Sequence, residues 1–351
     1  EQLRPQPQGG EGRRTVPALR LAADGRWLVN GGGFGRGRRR RGVLRRVDRL
    51  VGLDRCVQLG LHGGHHARGR LDGDGVANVV PIDFAGGTVV HINAGVAGLV
   101  LALVVGQRVG FGKVAMRPHN VPLTMIGAGL LWFGWFGFNA GSELAADETA
   151  ALVWVNTTAA TCAAMLGWLV VEKVRDGHAT SVGAASGVVA GLVAITPACG
   201  ALSPLGSIIL GVVAGGLAAL AVGLKFKLGY DDSLDVVGVH LVAGLWGTVG
   251  AGLLATSTGL FYGGGIDQLV LQVLVALATL VISGVVTLII ALALKATMGW
   301  RVPEDVEIAG IDGSEHAESA YDINSRGGRM SGGPSAAPTG APAKNLEGAQ
   351  A

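Results

Sequence analysis

Residues 266–294 read IDQLVLQVLVALATLVISGVVTLIIALAL, and only Asp267 carries a charge in this stretch. At 1.5 Å per residue, a helix of this length is long enough to cross a hydrocarbon core of about 30 Å. Backbone groups in lipid must be satisfied within their own segment, and no alternating barrel pattern is present, so helices are expected. Seven such spans are predicted, at about 84–106, 120–140, 149–171, 180–197, 205–224, 236–256 and 266–294. The sequence therefore predicts an all-α polytopic membrane protein.

The composition of the whole chain points to the same class. Of the 351 residues, 49% are hydrophobic and 15% are charged, whereas ordinary soluble domains carry about 25% charged residues. The 60 glycines suit closely packed membrane helices. This balance disfavours a soluble enzyme and a disordered protein. Cys56, Cys162 and Cys199 are too unevenly spaced to predict a disulfide framework or a zinc site, and we expect neither a metal nor a cofactor.

Residues 1–80 have a different composition from the rest of the chain. They contain 16 Arg, no Lys and 7 Asp or Glu, which gives a charge of +9, whereas residues 81–351 carry −6. No apolar window in them approaches the length of a span. Three interpretations stay open: sequence read out of frame, which the lysine-free and Gly-rich composition favours, a disordered basic arm, and a basic module that binds nucleic acid or anionic lipid.

The loops between the predicted spans give an orientation. Lys and Arg follow the first, third, fifth and seventh spans, while the loops around 143–148, 197–204 and 258–267 contain none. By the positive-inside rule the basic loops are cytoplasmic. The first span then runs from outside to inside, and the C-terminus is cytoplasmic.

Few ionisable side chains fall within or beside the spans. An ionised group at membrane depth costs about 2.5–3.5 kcal/mol on insertion scales, so each one needs a reason. Asp83 precedes the first span, where capping of the helix is one role and a functional role is compatible with it. His91 lies in the first span and His240 in the sixth, five residues after Asp235. Because imidazole can pass a proton through both nitrogens, two intramembrane histidines favour a shared site over two separate core residues.

An aromatic cluster, 132–138, occupies the second predicted span. Aromatic side chains at this depth either form an interfacial belt or offer their faces to a cation. Ser142 follows the cluster and supplies a hydroxyl acceptor. Composition favours the belt, and the alternative stays open.

Four segments carry a resemblance to a known family. They are DFAGGTVVHIN (83–93), GWFGFNAGS (134–142), GAASG (183–187) with ITPACG (195–200), and DDSLDVVGVH (231–240). Together they closely resemble the ammonium transporter (Amt/Mep/Rh) family. The tail from GWRVP (299–303) to Tyr321 is similar to the C-terminal segment of bacterial members. The resemblance covers about residues 81–322.

The resemblance implies a fold and a set of roles. The family has eleven helices, arranged as two pseudo-symmetric halves of five and a last long helix, and forms a trimer with one pore per subunit. The seven spans would be the fifth to eleventh helices. His91 and His240 would be the twin histidines of the pore. Substrate recruitment and deprotonation would fall to Asp83, Phe138 and Ser142, with Asp235 and Trp135 in supporting positions.

The implied function is ammonium transport across the cell membrane, without covalent substrate chemistry. Ammonium would be recruited outside and deprotonated, ammonia would cross the pore, and the proton would follow the histidines. A PII-type signalling protein is a possible cytoplasmic partner, and no nucleic acid is expected. Because residues 1–80 match none of the first four family helices, a truncated chain that does not transport is an alternative. An ammonium sensor is another, as is a membrane-anchored nucleic-acid binder.

The sequence thus divides into three predicted parts. Residues 1–80 form the Arg/Gly-rich segment, 81–298 form the transmembrane transporter domain, and 299–351 form a cytoplasmic tail. The tail beyond about residue 322 is rich in Gly, Ser, Ala and Pro and is expected to be disordered.

Overall fold

A computed structural model of the protein describes residues 19–21, 27–29 and 80–318. The predictions made for the remainder of residues 1–80, and for the tail beyond residue 318, lie outside the described residues.

The first two of these ranges form a small antiparallel strand pair. Strand β1 (Leu19–Leu21) pairs with strand β2 (Trp27–Val29). They belong to a unit that ends at Gly63, and a second unit begins at Gly64. Between residues 80 and 318 every regular element is a helix. The all-α prediction for the membrane part is therefore confirmed.

Apolar helices occupy all seven predicted spans. The main α-helices are α1 (Gly87–Val105), α2 (Val121–Asn139), α3 (Glu148–Asp176), α4 (Ser181–Ile195), α5 (Pro204–Ala221), the short α6 (Leu224–Leu228), α7 (Ala243–Leu254) and α8 (Asp267–Thr297). Six of the segments are long and apolar enough to cross a membrane. The exception is α4, whose 15 residues span about 22 Å.

Several helices begin at a polar residue that satisfies a free backbone N–H group. The side chains of Asn120, Asp147, Thr180 and Ser203 each accept a hydrogen bond from the amide three residues later. Such caps offset the unpaired donors of a first helical turn. The polar residues at the span boundaries therefore fix where the helices start.

The sixth span departs from a regular α-helix. Its first turns, Val237–Val242, are π-helical, and α7 follows directly. The backbone of Asp235, just before this π-helical segment, has a φ of +59°. Such a left-handed conformation is uncommon for residues other than glycine. Hydrophobic periodicity predicts a helix here but carries no signal for the wider turn.

Helices α3 and α5 cross at very close range. A Cβ atom on Gly211 would lie 2.2 Å from the carbonyl oxygen of Ala160, and one on Gly215 would lie 1.9 Å from that of Ala164. Glycine at these two positions lets the helix backbones touch, as small residues do in membrane bundles. Part of the high glycine content is thereby explained as packing.

The basic loops meet at one end of the helical unit. Arg108, after α1, binds both carboxylate oxygens of Asp231 at 2.7 and 2.8 Å. These hydrogen bonds, with the positive charge of Arg108, hold the pKa of Asp231 below its usual range although burial opposes the shift. Lys225 binds Asp235 in the same loop at 2.6 Å.

The start of the tail packs at this end too. Two short helices, α9 (Glu304–Ala309) and α10 (Ile311–Glu315), follow α8. Glu307 accepts hydrogen bonds from the Val109 amide and from Arg301, and Arg301 also donates to the Gln107 carbonyl. The segment predicted to resemble a family tail therefore contacts the loop that follows α1.

Candidate functional site

The two predicted pore histidines lie in contact. The Nδ1 atoms of His91 on α1 and His240 in the π-helical segment are 3.4 Å apart, and the ring centroids are 5.5 Å apart. At this distance one nitrogen can donate a hydrogen bond to the other, and the tautomers decide which one is the donor. The sequence places these residues 149 positions apart, and the fold brings them together.

Close helix packing makes this contact possible. A Cβ atom on Gly95 of α1 would lie 2.4 Å from the Leu241 backbone nitrogen, and one on Gly244 would lie 3.1 Å from His91 Cβ. Larger residues at either position would push α1 away from the segment that carries His240. The glycines near both histidines thus set the distance between the two rings.

Aromatic side chains from α2 cover His91. The Trp135 ring stacks on it with centroids 5.3 Å apart and planes at 16°, and the Phe138 ring meets it edge-on at 6.1 Å. His91 is only 2% exposed, and its Nε2 has no hydrogen-bond partner among the described residues. The buried imidazole therefore retains one nitrogen that can interact with a small polar molecule.

The aromatic cluster divides between two roles. Trp135 and Phe138 face the histidine, whereas the Phe133 side chain is 75% exposed. Phe136 stacks on Trp154 of α3 with a centroid distance of 3.8 Å. Neither open alternative, belt or site, describes the whole cluster.

Asp83 is held by the backbone at the start of α1. Its carboxylate accepts hydrogen bonds from the amides of Thr88 at 2.8 Å and Val89 at 3.4 Å. Asp83 is not the N-cap residue of α1, because Gly86 occupies that position, but its carboxylate still satisfies two amides of the first turn. Asp83 is 6% exposed, so its charge is placed by the helix terminus, where a negative group is favoured.

The other predicted residues lie at different places. Ser142 is in a 3₁₀ turn after α2, and its hydroxyl donates to the Phe138 carbonyl at 2.6 Å. Because the hydroxyl hydrogen is engaged in this bond, the lone pairs of the Ser142 oxygen can accept a hydrogen bond. Asp235 contacts Lys225 at the end of the unit that carries the basic loops. It therefore lies at the opposite end of the helices from Asp83.

Sequence reasoning missed Thr196. Its hydroxyl accepts a hydrogen bond from Trp135 Nε1 at 2.9 Å and donates to the Leu192 carbonyl at 2.6 Å. Its own carbonyl accepts from the Ala85 amide at 3.3 Å. Thr196 thus joins the segment after Asp83 to the indole that covers His91. A threonine before Pro197 gives no separate signal in a single sequence.

Two glutamines on α8 were also missed. Gln268 and Gln272 are 2% and 1% exposed, within a long apolar helix. Intramembrane polar residues signal a structural or functional role, so these two could have been found.

No described residues suggest a metal centre. Between residues 80 and 318, no group of three or more His, Cys, Asp and Glu side chains is arranged to hold a metal ion. Paired imidazoles under an aromatic cover are suited instead to protons and small polar molecules.

Comparison with known proteins gives the family of the chain. The model of the Ammonium Transporter Family matches residues 63–321, which is most of the chain. The chain belongs to this family. The match includes His91 and His240, and it begins at residue 63, before the start of the predicted resemblance at about residue 81.

Relatives within the ammonium transporter family include sequences and solved structures. An ammonium transporter of Mycobacterium tuberculosis is 61% identical over 254 residues, which cover 69% of this chain and 53% of that protein. A solved structure named Sensor Amt Protein is 32% identical, with a TM-score of 0.64, and the match covers 72% of this chain and 65% of that one. The Mep2 structure from Candida albicans is 36% identical, with a TM-score of 0.60, covering 64% of this chain and 53% of that one.

The chain spans about half the length of the Mycobacterium relative. Its fold is accordingly a part of the ammonium transporter fold, and residues 80–318 contain six candidate membrane spans and the shorter α4. Family membership and the apolar helices together establish a multi-pass membrane protein.

Proposed function

We propose that this chain acts in the transport of ammonium across the cell membrane, through a path that passes His91 and His240. The observation that carries the proposal is the buried pair of imidazoles, with Nδ1 atoms 3.4 Å apart, under Trp135 and Phe138. The family and the names of the relatives support ammonium as the substrate.

Selectivity in this proposal follows from desolvation. A bare monovalent cation entering an apolar path loses its hydration at an idealised cost of tens of kcal/mol. K⁺ and Na⁺ cannot avoid this cost. Ammonium avoids it by giving up a proton and crossing as ammonia. The path therefore selects for a cation that is also an acid.

Each site residue has a proposed role. Asp83 attracts the cation through its negative field, while Ser142 accepts a hydrogen bond and Phe138 presents an aromatic face. Trp135 shields the His91 imidazole from water. The proton follows His91 and His240, since each imidazole can accept it on one nitrogen and release it from the other. Asp235 supports the backbone that carries His240.

The surroundings of the site are also proposed. The basic loops support a cytoplasmic C-terminus, and we propose a membrane part at residues 81–298 followed by a cytoplasmic tail at 299–351. The family resemblance supports a homotrimer and a PII-type partner at the cytoplasmic face. Transport moves the substrate across the membrane, and the only bond of the substrate that changes is the N–H bond of the exchanged proton. We therefore propose no enzymatic activity.

The proposal is tested by ammonium-evoked current in liposomes that contain the purified chain. His91→Ala and His240→Ala should each abolish the current, because each breaks the proton path. His178→Ala is the matched control, since His178 is exposed and lies outside the site; it should retain the wild-type current. An unchanged current in both site variants would refute the assignment.

A second candidate is an ammonium sensor, favoured by the likeness to the structure named Sensor Amt Protein. A sensor would bind ammonium at the same site without carrying current. Saturable ammonium binding by wild-type protein that gives no current would favour this candidate. Absence of both binding and current would reject both functions.

A further inference from the structure

Two buried amide side chains stand out on α8. This helix is apolar along most of its 31 residues, yet Gln268 and Gln272 are almost fully buried. Burying an amide without hydrogen bonds costs roughly 1–3 kcal/mol by mutational measures. The amides must therefore have partners that offset this cost.

The partners of Gln272 are mainly the two backbone groups of Ile82. The Ile82 N–H donates to Gln272 Oε1 at 2.8 Å, and Gln272 Nε2 donates to the Ile82 carbonyl at 2.7 Å. Nε2 also donates to the Thr248 carbonyl at 3.2 Å. The side chain thus binds one residue through both its donor and its acceptor, as a neighbouring strand would.

Gln268 extends the same contact by one step. Its Nε2 donates to the Val80 carbonyl at 3.0 Å and to Gln272 Oε1 at 3.4 Å. Residues 80–82 lie outside helices and strands. The two glutamines supply side-chain hydrogen bonds that fix this segment to α8.

The fixed segment leads directly into Asp83. On its other side, the Phe84 amide donates to the Pro197 carbonyl at 2.9 Å. Asp83 itself is joined to α1 by the hydrogen bonds from Thr88 and Val89. The position of this carboxylate is consequently set from both directions along the chain, and Gln272 provides the constraint on the N-terminal side.

We infer that Gln272 is a positioning residue that holds Asp83 against the first turn of α1. The role of Asp83 in attracting the cation rests on the proposed function, but its placement by Gln272 does not. Gln272, on the last span, would then determine the position of the Asp83 carboxylate at the start of the first span.

The first test measures amide hydrogen exchange in the full chain. Gln272→Met keeps the length of the side chain, suits a membrane helix and removes all four hydrogen bonds. We expect exchange at Ile82 to rise roughly tenfold or more, because a buried hydrogen bond is lost. Exchange at Thr88 and Val89 should rise with it, since Asp83 no longer stays in place to accept from them.

Two variants serve as comparisons. Ser283→Ala removes a hydrogen bond from the same buried face of α8, to the Asn93 carbonyl, and should leave exchange at Thr88 and Val89 unchanged. Gln268→Met removes the contact with Val80, and we expect a smaller rise at Ile82. A rise limited to Ile82 in Gln272→Met, with Thr88 and Val89 unaltered, would overturn the inference because Gln272 would then be only a local structural contact.

Transport supplies the second test. If Asp83 is displaced, the KM for ammonium should rise roughly tenfold while the maximal current is retained, because recruitment weakens and the histidine path is intact. A fall in maximal current with an unchanged KM would contradict a positioning role. If wild-type protein carries no current, the proposed function fails, whereas the exchange experiment still decides whether Gln272 places Asp83.

Discussion

At the scale of single residues, the candidate site depends on a hydroxyl that lies within a family motif but had no predicted role. The Thr196 hydroxyl accepts a hydrogen bond from the indole N–H of Trp135, and Trp135 in turn covers His91. Both side chains are buried, with Thr196 fully so. The orientation of the aromatic cover is therefore fixed by one hydrogen bond between α2 and the turn after α4.

Thr196→Val removes that hydrogen bond at nearly constant volume. The Trp135 N–H becomes an unpaired buried donor, so we expect the protein to lose about 1–3 kcal/mol of stability. Thermal unfolding in detergent gives the loss, and ultraviolet resonance Raman spectroscopy of the indole reports the missing bond. Thr196→Ser keeps the hydroxyl and should restore the indole signal. A normal indole signal in Thr196→Val would show that Trp135 is held in another way.

The roles of individual residues could be predicted only where a motif carried them. The family resemblance implies that His91 and His240 act together, and in the structure their Nδ1 atoms lie 3.4 Å apart. The hydrogen bonds of Thr196 and Gln272 depend on which backbone groups approach them in three dimensions. A single sequence specifies those approaches only indirectly, so these contacts could not be read from it.

At the scale of helices, close approach of α3 and α5 is the main packing feature. Gly215 faces the Ala164 carbonyl without room for a side chain, whereas its neighbour Gly216 could accept a Cβ atom in ordinary contact. A Cβ atom on Gly216 would meet only the Val171 side chain, at 3.5 Å. These adjacent glycines therefore differ in their contribution to the packing of α3 against α5.

Gly215→Ala should force α3 and α5 apart. Overpacking of this kind costs typically about 1–3 kcal/mol, and we expect a lower unfolding temperature in detergent. Gly216→Ala is the matched control on the same helix turn. It should have little effect or a slight stabilising one, because alanine favours helix over glycine. Equal effects of the two substitutions would contradict the packing shown by the carbonyl contacts.

Helix positions could be predicted from hydropathy because a membrane span needs a long apolar run, and the seven predicted spans lie close to the observed helices. Two deviations from regular spanning helices could not be predicted. The helix in the fourth span ends at Ile195, just before Thr196 and Pro197, so it is too short to meet the length of a full span. The π-helical turns at 237–242 depend on the packing and on the backbone of Asp235, which apolar periodicity does not encode.

At the scale of the whole molecule, charge is separated between the two ends of the helical unit. The basic loops contact one another at one end of the unit. Arg108 and Lys225 both bind the segment around Asp231, and Arg301 binds the carbonyl of Gln107, next to Arg108. Loops without Lys or Arg contact each other at the other end, where the Thr256 amide donates to the Ala201 carbonyl at 3.0 Å. The arrangement supports the proposed orientation in the membrane.

Single cysteines placed at the two ends test that orientation. In a variant whose native cysteines are replaced by serine, Lys113→Cys should react with an impermeant maleimide only in inside-out vesicles. Leu144→Cys should react only in intact cells. Both positions are exposed, so failure to label reports sidedness and not burial. The reverse pattern would invert the proposed topology and place the tail outside.

The π-helical segment has a consequence for how the sixth span is read as a surface. A π turn takes up about one residue more than an α turn, which shifts the angular phase of everything that follows by about 100°. His240 can therefore point at His91 while Gly247 and Thr248, further along, point at Ala194 and Thr88. The residues before and after these turns therefore have an angular relation that differs from the one a uniform α-helix would give them. Deletion of one residue between 237 and 242 would turn His240 relative to Thr248 by about 100°, and so would change how this span presents its two contacts to α1.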